Sequence, residues 1–546
     1  MSSKMRKNSF VEGTLVAYIS IVVTKLLGAL YSIPLYNIIG ERGGVIYSCA
    51  YNIYALFLDV STAGIPIAVS IVISEYNALE KYRSKEKAYS VALRAVMILS
   101  LISFAILQLF AWPIGHFFLE DMDKGVRPED IAAAVRVVSI CLLVAPLLSI
   151  KRGYLQGHKF IAISSTSQVI EQIVRIAVVL TGVYVTIVLM RMSHTVGVCV
   201  ALSGAAIGAL AALIFLQVRS RGVKETADPD NAKEEIPDST KEILRKVVSY
   251  CTTIVIMSVS LSIYSLVDMK MLLMGLHRLR FPDHDTQVIA SVASTWAPKI
   301  GMIITALAMG LVNSIAPHMA ESRTVGDHSG INFRLNQALG IIVLFAVPMG
   351  LGMMLLAEPI YRVFYGGSAY GYQILRAYLV VTVVGGMVTV TNMSMQSIGR
   401  GRTVCFVTVI GILVNAILDL PLIFLFARLR IPPFLGATAA SLIGQIVALT
   451  LLLGSLKRVY YFKYFPVLKV LLKELIPLAA MTAVVFGMKL LWPLTPTRGM
   501  FLVLQLAVYA IAGGAVYFVL AYFTGAVTDV IGAESIQKVL GKLKRN

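Results

Sequence analysis

The segment TVCFVTVIGILVNAILDLPLIFLF (403–426) is almost wholly apolar, and Asp419 is its one charged residue. A helix rises about 1.5 Å per residue, so a segment of this length reaches across the roughly 30 Å of hydrocarbon in a bilayer. Apolar and polar residues do not alternate along it with the period of two that a lipid-facing β-barrel strand requires. The segment is therefore predicted to be a membrane-spanning helix.

The rest of the chain has the same character. Of its 546 residues, 58% are hydrophobic and 14% are charged, whereas soluble proteins carry about 25% charged residues. This composition excludes a water-soluble fold, a disordered chain, a collagen and a disulfide scaffold. The predicted fold class is an all-α polytopic membrane protein with about fourteen transmembrane helices. The apolar segments lie approximately at 11–36, 44–73, 90–112, 130–150, 160–190, 196–218, 246–274, 290–320, 333–356, 371–396, 403–426, 435–456, 467–492 and 499–523.

The distribution of charge predicts the topology. The formal net charge is +19, but most Lys and Arg residues lie in short loops, where they orient helices, so nucleic-acid binding is not expected. Basic loops such as 151–159 alternate along the chain with less basic ones such as the acidic loop 120–130. Because Lys and Arg favour the inner side, both termini are predicted to be cytoplasmic.

The longest polar stretch of the chain begins at Arg219, directly after six predicted helices, and it therefore predicts the domain organisation. The loops KRGYLQGHKF (151–160) and MQSIGRGR (395–402) lie six helices apart, and each contains Gln, Gly and basic residues. This similarity suggests two six-helix lobes of the same orientation, related by a pseudo-twofold axis along the membrane normal. The expected parts are an N-terminal lobe (1–218), a cytoplasmic linker (219–245), a C-terminal lobe (246–456), two further helices (457–523) and a basic cytoplasmic tail (524–546).

Several ionisable residues lie inside the predicted spans, where charge is expensive and usually faces a cavity or a partner. They therefore predict a water-filled path for a polar substrate. Glu171 and Arg175 are four residues apart and share a helix face, so either a structural ion pair or direct contact with substrate accounts for them. Lys270 and Arg376 lie near helix ends and can extend to the interface. The set is Lys25, Asp59, Glu171, Arg175, Asp268, Lys270, Lys299, Arg376 and Asp419.

Asn415 and Asp419 share a face of one predicted helix and offer hard oxygen ligands. Together with Asp268 from the seventh helix and the hydroxyl of Thr438 from the twelfth, they could enclose Na⁺ or H⁺. A hydrogen bond between Asn415 and Asp419 that holds two helices together explains the pair equally well. No other cofactor is expected.

Four stretches of the sequence resemble a known family. They are TKLLGALYSIPL (24–35), the segment 37–79 that begins NIIGERGGVIYSCAYNIY, RGYLQG (152–157) and STSQVIEQIVRI (165–176). They are similar to the stage V sporulation protein B and YtgP group, a polysaccharide-biosynthesis type within the multidrug/oligosaccharidyl-lipid/polysaccharide exporter superfamily. That superfamily also contains the MurJ-type lipid II flippases.

The resemblance implies two lobes around a central cavity that opens alternately to each side, with the last two helices forming a groove for a lipid tail. It implies a flippase that moves an undecaprenyl-diphosphate-linked saccharide, such as lipid II, to the outer leaflet of the bacterial plasma membrane. Lys25, Arg42 and Lys299 would contact the diphosphate in a cavity that also holds Asp59, Glu171 and Arg175. The sodium site of the MurJ type resembles Asp268, Asn415, Asp419 and Thr438. The protein is expected to be a monomer. Its expected partners are membrane lipids and cell-wall synthesis enzymes, and its role lies either in growth or in sporulation.

Two other functions compete with this interpretation. A multidrug exporter of the same fold requires an acidic cavity, which the cations disfavour. A membrane-embedded glycosyltransferase requires an acidic or metal site, but no HExxH, P-loop or GxSxG motif occurs. The five cysteines lie in apolar segments at wide spacings, which match neither metal ligands nor disulfides. We therefore expect a transporter and not an enzyme.

Overall fold

The computed structural model describes residues 10–119, 122, 125–220, 237–306, 319, 322–323 and 325–531. Within these ranges the chain is helical nearly throughout and contains no strand. Most of the predicted linker 219–245, most of the predicted tail 524–546 and the acidic residues 120, 121 and 123 lie outside the described residues.

The chain forms two compact units, Met1–Thr295 and Trp296–Asn546. The helices described in the first unit are α1 (Phe10–Leu30), α2 (Ser32–Thr62), α3 (Ile65–Ala78), α4 (Tyr82–Leu109), α5 (Ala111–Leu119), α6 (Pro128–Ser139), α7 (Cys141–Gly157), α8 (Ile161–Val183), α9 (His194–Arg219), α10 (Thr240–Arg278) and α11 (Asp283–Ser291). Helix α10 packs against α2, α3 and α4. The predicted lobes 1–218 and 246–456 rest on an internal repeat, which this packing does not test, so they stay a prediction.

After α11 the chain continues through a π-helical turn, Val292–Trp296, and stays helical to Ala306. The helices described beyond it are α12 (His328–Leu355), α13 (Ala357–Tyr365), α14 (Gly371–Ser397), α15 (Gly401–Arg428), α16 (Leu435–Tyr460), α17 (Phe465–Leu491), α18 (Met500–Phe523) and α19 (Ala526–Ile531). In this second unit α15 packs along α16, and α14 packs against α12 and α16. Helices α17, α18 and α19 pack together and against α12.

Among the described residues, 13 helices are long and apolar enough to cross a membrane. The first, Ile19–Asn77, has 59 residues and holds two of the predicted spans. It is interrupted at Gly40, where a φ of 66° breaks α2 between the two predicted spans, and again where Ala63 is extended and Gly64 adopts a φ of 74°. The remaining candidates coincide with the other predicted spans. The chain is an all-α, multi-pass membrane protein, as its composition predicted.

Two glycines of the RGYLQG stretch explain how α7 meets α3. A Cβ atom on Gly153 would lie 2.6 Å from the Pro66 carbonyl oxygen, and one on Gly157 would lie 2.9 Å from the Ser70 carbonyl oxygen. Because glycine has no Cβ, the two backbones touch at these points, as in the small-xxx-small contacts of membrane helices. This close approach fixes the end of α7 that carries Arg152.

Candidate functional site

Three charged side chains of the first unit converge at α8. Arg152 of α7 donates hydrogen bonds to Glu171 Oε2 (2.9 Å) and to Ser167 Oγ (2.8 Å). Arg175, one turn beyond Glu171, donates to the other carboxylate oxygen. The side chains of Arg152 and Glu171 are only 12% and 16% exposed. One carboxylate held between two guanidinium groups leaves a net positive charge inside an apolar bundle. We call Arg152, Glu171 and Arg175 the α8 charge cluster.

Glycines of α9 bring this charge cluster close to the neighbouring helix. A Cβ atom on Gly208 would lie 2.7 Å from the Glu171 carbonyl oxygen, and one on Gly204 would lie 3.2 Å from the Arg175 carbonyl oxygen. Glycine at both positions lets α9 pack directly on the backbone of α8. The face of α8 that carries the charges is therefore fixed by an adjacent helix, a role of these glycines that was not predicted from the sequence.

A row of tyrosines lies beside Arg175. The rings of Tyr47 and Tyr51 are stacked with centroids 5.6 Å apart, and the hydroxyls of Tyr31 and Tyr47 lie 3.2 Å apart. Arg175 is within electrostatic reach of these rings and of Tyr54. Tyr51 keeps 37% of its surface exposed, whereas Tyr47 and Tyr54 are buried. The spacing 47, 51, 54 places three of these rings on one helix face, but their position beside Arg175 of another helix has no signature in that spacing.

The other predicted cavity residues of the first unit make separate contacts. Lys25 lies on α1, which packs against α8, and no carboxylate among the described residues lies within ion-pair distance of it. Arg42 is half-exposed and lies 3.4 Å from Asp130 Oδ2, at the beginning of α6. Asp59 accepts a hydrogen bond of 2.5 Å from Ser262 of α10. None of the three forms an ion pair with the α8 charge cluster in the described part of the chain.

The structure gives the surroundings of three further charged residues that the sequence singled out. Lys270 donates to the Phe117 carbonyl oxygen and lies 4.4 Å above the ring of the same residue. Asp268 precedes it by two residues on α10 and is half-buried. Arg376 lies over the Tyr372 ring, with 5.9 Å between the guanidinium carbon and the centroid. Aromatic faces stabilise cations of this kind near helix ends.

Lys299 belongs to the second unit and is only 8% exposed. Its Nζ lies 4.2 Å from the centroid of the Trp296 ring, at the favourable distance for a cation–π interaction. Tyr365 packs edge-on against Trp296 and donates a hydrogen bond of 3.1 Å to its carbonyl oxygen. The aromatic residues hold the lysine in place, and they were not singled out from the sequence.

Asn415, Asp419 and Ser441 form a buried polar cluster between α15 and α16. Asn415 Nδ2 donates to Asp419 Oδ1 (3.3 Å) and to Ser441 Oγ (3.2 Å). Thr438 lies one turn before Ser441 on α16 and is also buried. The hydrogen bond between Asn415 and Asp419 is thus present, as one of the two hypotheses required. We call Asn415, Asp419, Thr438 and Ser441 the α15–α16 polar cluster.

The donor chemistry of this polar cluster suits Na⁺. Carboxylate, amide and hydroxyl oxygens are the hard ligands that such a cation takes, and no softer ligand type is present in the set. In the described ranges no group of three or more His, Cys, Asp or Glu side chains could hold a metal ion. A transition-metal site of those residue types is therefore absent from that part of the chain.

A cluster outside the spans fixes the beginning of α10. Asp238 accepts hydrogen bonds from the Tyr76 hydroxyl (2.8 Å) and from Lys81 Nζ (3.1 Å), and Lys246 Nζ lies 3.5 Å away. The hydrogen bond from Tyr76 and the neighbouring lysines hold the pKa of Asp238 below its ordinary value. Lys87 donates to the Asp238 carbonyl oxygen (2.8 Å). The Asp238 backbone N–H donates to Ser84 Oγ (3.1 Å), so five side chains hold the residue that immediately precedes the helix cap.

Comparison with known proteins gives consistent matches along the chain. A family model described as polysaccharide biosynthesis protein matches residues 10–276, and one described as MatE matches residues 253–420. The chain is 28% identical to the lipid II flippase MurJ of Bacillus subtilis (strain 168), over 97% of both chains. It is 24% identical to stage V sporulation protein B of the same organism, over 83% of this chain and 85% of that one. A solved structure titled lipid II flippase MurJ, inward closed conformation, shares the fold with a TM-score of 0.66 at 18% identity, covering 94% of this chain and 99% of that one.

Proposed function

Because the chain belongs to the multidrug/oligosaccharidyl-lipid/polysaccharide exporter superfamily, we propose that it is an alternating-access flippase for an undecaprenyl-diphosphate-linked saccharide. The substrate is lipid II or a related precursor of the cell envelope. It is moved from the cytoplasmic to the outer leaflet of the bacterial plasma membrane. The protein is a transporter and catalyses no covalent step.

The observation that carries this proposal is the α8 charge cluster. A diphosphate cannot cross about 30 Å of hydrocarbon unaided, because unpaired charge is strongly disfavoured there. Arg152 and Arg175 outnumber Glu171, so the cluster attracts an anion even after its internal ion pairs have formed. Lys25 adds a third cation from α1, which packs on the same helix. Guanidinium groups bind phosphate oxygens in a bidentate manner and replace part of the hydration shell.

The tyrosine row supplies a surface for the saccharide. A tyrosine presents an apolar ring face and a polar hydroxyl, which together match the apolar and hydroxyl faces of a sugar ring. Tyr51 is the exposed member, and Tyr31 lies at the junction of α1 and α2. The row lies beside Arg175, so the head group is expected to place its diphosphate on the arginine and its first sugar on the rings. The polyprenyl tail stays in lipid.

The direction and drive of transport complete the proposal. Both termini lie in the cytoplasm, and the α15–α16 polar cluster takes Na⁺ as a coupling ion. Lys299 contacts the diphosphate in the second unit, and Arg42 and Asp59 contact the head group. The protein acts as a monomer alongside cell-wall synthesis enzymes.

The test is translocation of fluorescent lipid II in vesicles that contain the purified full-length protein. An impermeant quencher measures the fraction of lipid II in each leaflet over time. Arg175→Gln is expected to lower the rate at least about tenfold, since a charge-assisted contact of more than about 1.4 kcal/mol is lost. Arg94→Gln is the matched control, because Arg94 is exposed on α4. Equal rates for the two variants contradict the proposal.

The MatE match over residues 253–420 favours a second candidate, a cation-coupled multidrug exporter. That function requires a cavity that attracts cationic drugs, and the acidic groups Asp59 and Glu171 would serve it. Accumulation of a cationic dye in the same vesicles discriminates between the two. Dye transport without lipid II translocation supports the exporter and excludes the flippase.

A further inference from the structure

Glu474 lies in the interior of α17 and has no place in the mechanism above. It is 0% exposed, and neither carboxyl oxygen has a hydrogen-bond partner among the described residues. An ionised carboxylate in such surroundings is strongly disfavoured, because neither water nor a partner compensates for its charge. The surroundings therefore suit the protonated acid.

The side chains around Glu474 are apolar. Helices α12, α18 and α19 pack against α17, and the buried cluster they share consists of Val343, Leu344, Val470, Met481, Tyr517, Ala521, Ala526 and Val530. The titratable or charged groups on these four helices are His328 and Arg334 near the beginning of α12, Tyr509, Tyr517 and Tyr522 on α18, Asp529 on α19, and Lys469, Lys473 and Lys489 on α17 itself.

The lysines on α17 bind other groups. Lys469 and Lys473 both contact Asp529 Oδ2, at 3.2 Å and 2.7 Å. Lys489 donates to the Leu355 carbonyl oxygen (2.7 Å). The hydroxyl of Tyr517 lies beside Glu474 but directs its hydrogen to the Leu344 carbonyl oxygen (3.0 Å). No cation on the packed helices therefore compensates a charge on Glu474 in the described part of the chain.

Two proline-weakened helices meet at this point. Pro348 of α12 has no N–H, so the carbonyl oxygen four residues earlier, on Leu344, loses its helical donor. The Tyr517 hydroxyl replaces that donor, as happens commonly where proline interrupts a membrane helix. Pro477 lies inside α17, three residues after Glu474, and likewise offers no N–H to the carbonyl oxygen of Lys473. Each proline removes one backbone hydrogen bond, so bending either helix at this point breaks fewer hydrogen bonds than bending it elsewhere.

We propose that Glu474 is a proton-binding site and that loss of its proton separates α17 from α12 and α18. The step is the ionisation of one carboxylic acid, whose proton passes to water. In a state of the transport cycle that admits water to Glu474, the proton leaves; in the state described here it is held. Proton binding thus biases the access equilibrium, since a ligand shifts conformations only by its differential affinity. Its role as a coupling step rests on the proposed flippase function.

Infrared difference spectroscopy of the purified full-length protein tests the site directly. At pH 7 the carbonyl stretch of a protonated carboxyl group is expected in the wild type, and Glu474→Gln is expected to remove a component of that band. Glu358→Gln is the matched control, because Glu358 is exposed and paired with Arg362. Any other protonated carboxyl group contributes equally to the wild type and the variant, so the difference between them isolates Glu474. A band unchanged by Glu474→Gln overturns the proposal.

Thermal unfolding gives an independent measurement. The folded protein holds a proton that the unfolded chain releases near a pH of about 4.3, so wild-type stability is expected to fall as the pH rises further. Glu474→Gln and Glu474→Met carry no titrating group at this position, so their midpoints are expected to fall less between pH 6 and pH 9. Parallel pH profiles for the wild type and both variants overturn the proposal.

A lipid II translocation assay distinguishes a failure of the Glu474 proton site from a failure of the proposed function. An imposed pH gradient is expected to accelerate lipid II translocation by the wild type and to leave Glu474→Gln unaffected. Wild-type protein that shows the Glu474 band but translocates no lipid II supports the proton site and contradicts the flippase. Equal acceleration of the wild type and Glu474→Gln overturns the coupling role.

Discussion

Arg152 and Glu171 form a hydrogen-bonded ion pair of 2.9 Å between α7 and α8. This contact joins RGYLQG (152–157) to STSQVIEQIVRI (165–176), two stretches that carried the family resemblance from the sequence alone. The glycines of the first stretch bring α7 against α3, and its arginine extends to the carboxylate of the second. The two motifs are therefore parts of one structural element, with Arg175 attached to the same carboxylate.

Removing one partner of this pair is expected to cost more than removing both. Glu171→Gln leaves two buried guanidinium groups without a carboxylate, and breaking a largely buried pair costs about 3 kcal/mol. Arg152→Met together with Glu171→Gln removes one of those unpaired charges, so the double variant is expected to be more stable than the sum of the single changes predicts. Denaturant unfolding of the wild type, both single variants and the double variant gives the coupling energy. Additive effects would show that the pair contributes no interaction energy.

Lys25 is expected to act in transport through its charge. The structure provides no carboxylate partner for it among the described residues, so Lys25→Gln leaves no partner unpaired and is expected to fold normally. The rate of lipid II translocation is expected to fall by about tenfold or more, whereas Lys25→Arg keeps part of it. Lys270→Gln is a suitable control, because Lys270 is held by Phe117. Full activity of Lys25→Gln would remove Lys25 from the substrate site.

Asp238 predicts an acid-sensitive contribution to stability. Its hydrogen bond from Tyr76 and the nearby lysines lower its pKa in the folded protein, so its stabilising effect is complete above the unfolded pKa of about 3.9. That effect is lost as the pH falls through the lower, folded value. At pH 7 Asp238→Asn is expected to lower the unfolding midpoint by about 2 °C, and the difference from the wild type is expected to vanish in strong acid. Glu80→Gln, on an exposed turn nearby, is the control for the loss of a surface carboxylate at pH 7.

The orientation of the chain is predicted from loop charge and can be tested without transport. In a variant whose five native cysteines are replaced by serine, a cysteine introduced at position 283 is expected to react with an impermeant reagent added outside intact cells. One introduced at position 241 is expected to react only after lysis. Both positions lie next to charged, non-spanning segments, so substitution there is expected to leave folding intact. External labelling at position 241 would invert the predicted topology.

The sequence predicted well what depends on hydropathy and helical periodicity. The spans were found because each buries enough apolar residues in lipid, and Glu171 and Arg175 were paired because residues four apart share a helix face. Arg152 was not assigned to the site, because its contact with Glu171 depends on how α7 packs against α8. The tyrosine row shares the same limitation, since its relation to Arg175 joins α2 and α8. Such contacts have no signature in the spacing of one segment.

Two departures concern polar residues near the predicted boundaries. Glu474 follows Lys473 near the beginning of a predicted span, where charged side chains usually extend to the interface, so hydropathy gives no sign of its burial. Ser441, one turn beyond Thr438, makes the hydrogen bond to Asn415. The pattern identifies the helix face but does not distinguish between two hydroxyls on it. Which hydroxyl reaches Asn415 depends on how far α16 is shifted along its axis relative to α15.

The sequence left open whether Asn415 and Asp419 bind Na⁺ or form a hydrogen bond that holds two helices together. The effect of Na⁺ on stability distinguishes these two hypotheses for the α15–α16 polar cluster. If the cluster binds Na⁺, the ion neutralises the buried Asp419 carboxylate and ties α15 to α16, so the folded protein gains stability. Raising Na⁺ at constant ionic strength with choline is then expected to raise the unfolding midpoint of the wild type. Asp419→Asn is expected to abolish this effect, because the variant lacks the charge that attracts the cation. Ser441→Ala is expected only to weaken it. If the midpoint of the wild type ignores Na⁺, the cluster is a hydrogen-bonded joint between helices and the coupling ion binds elsewhere.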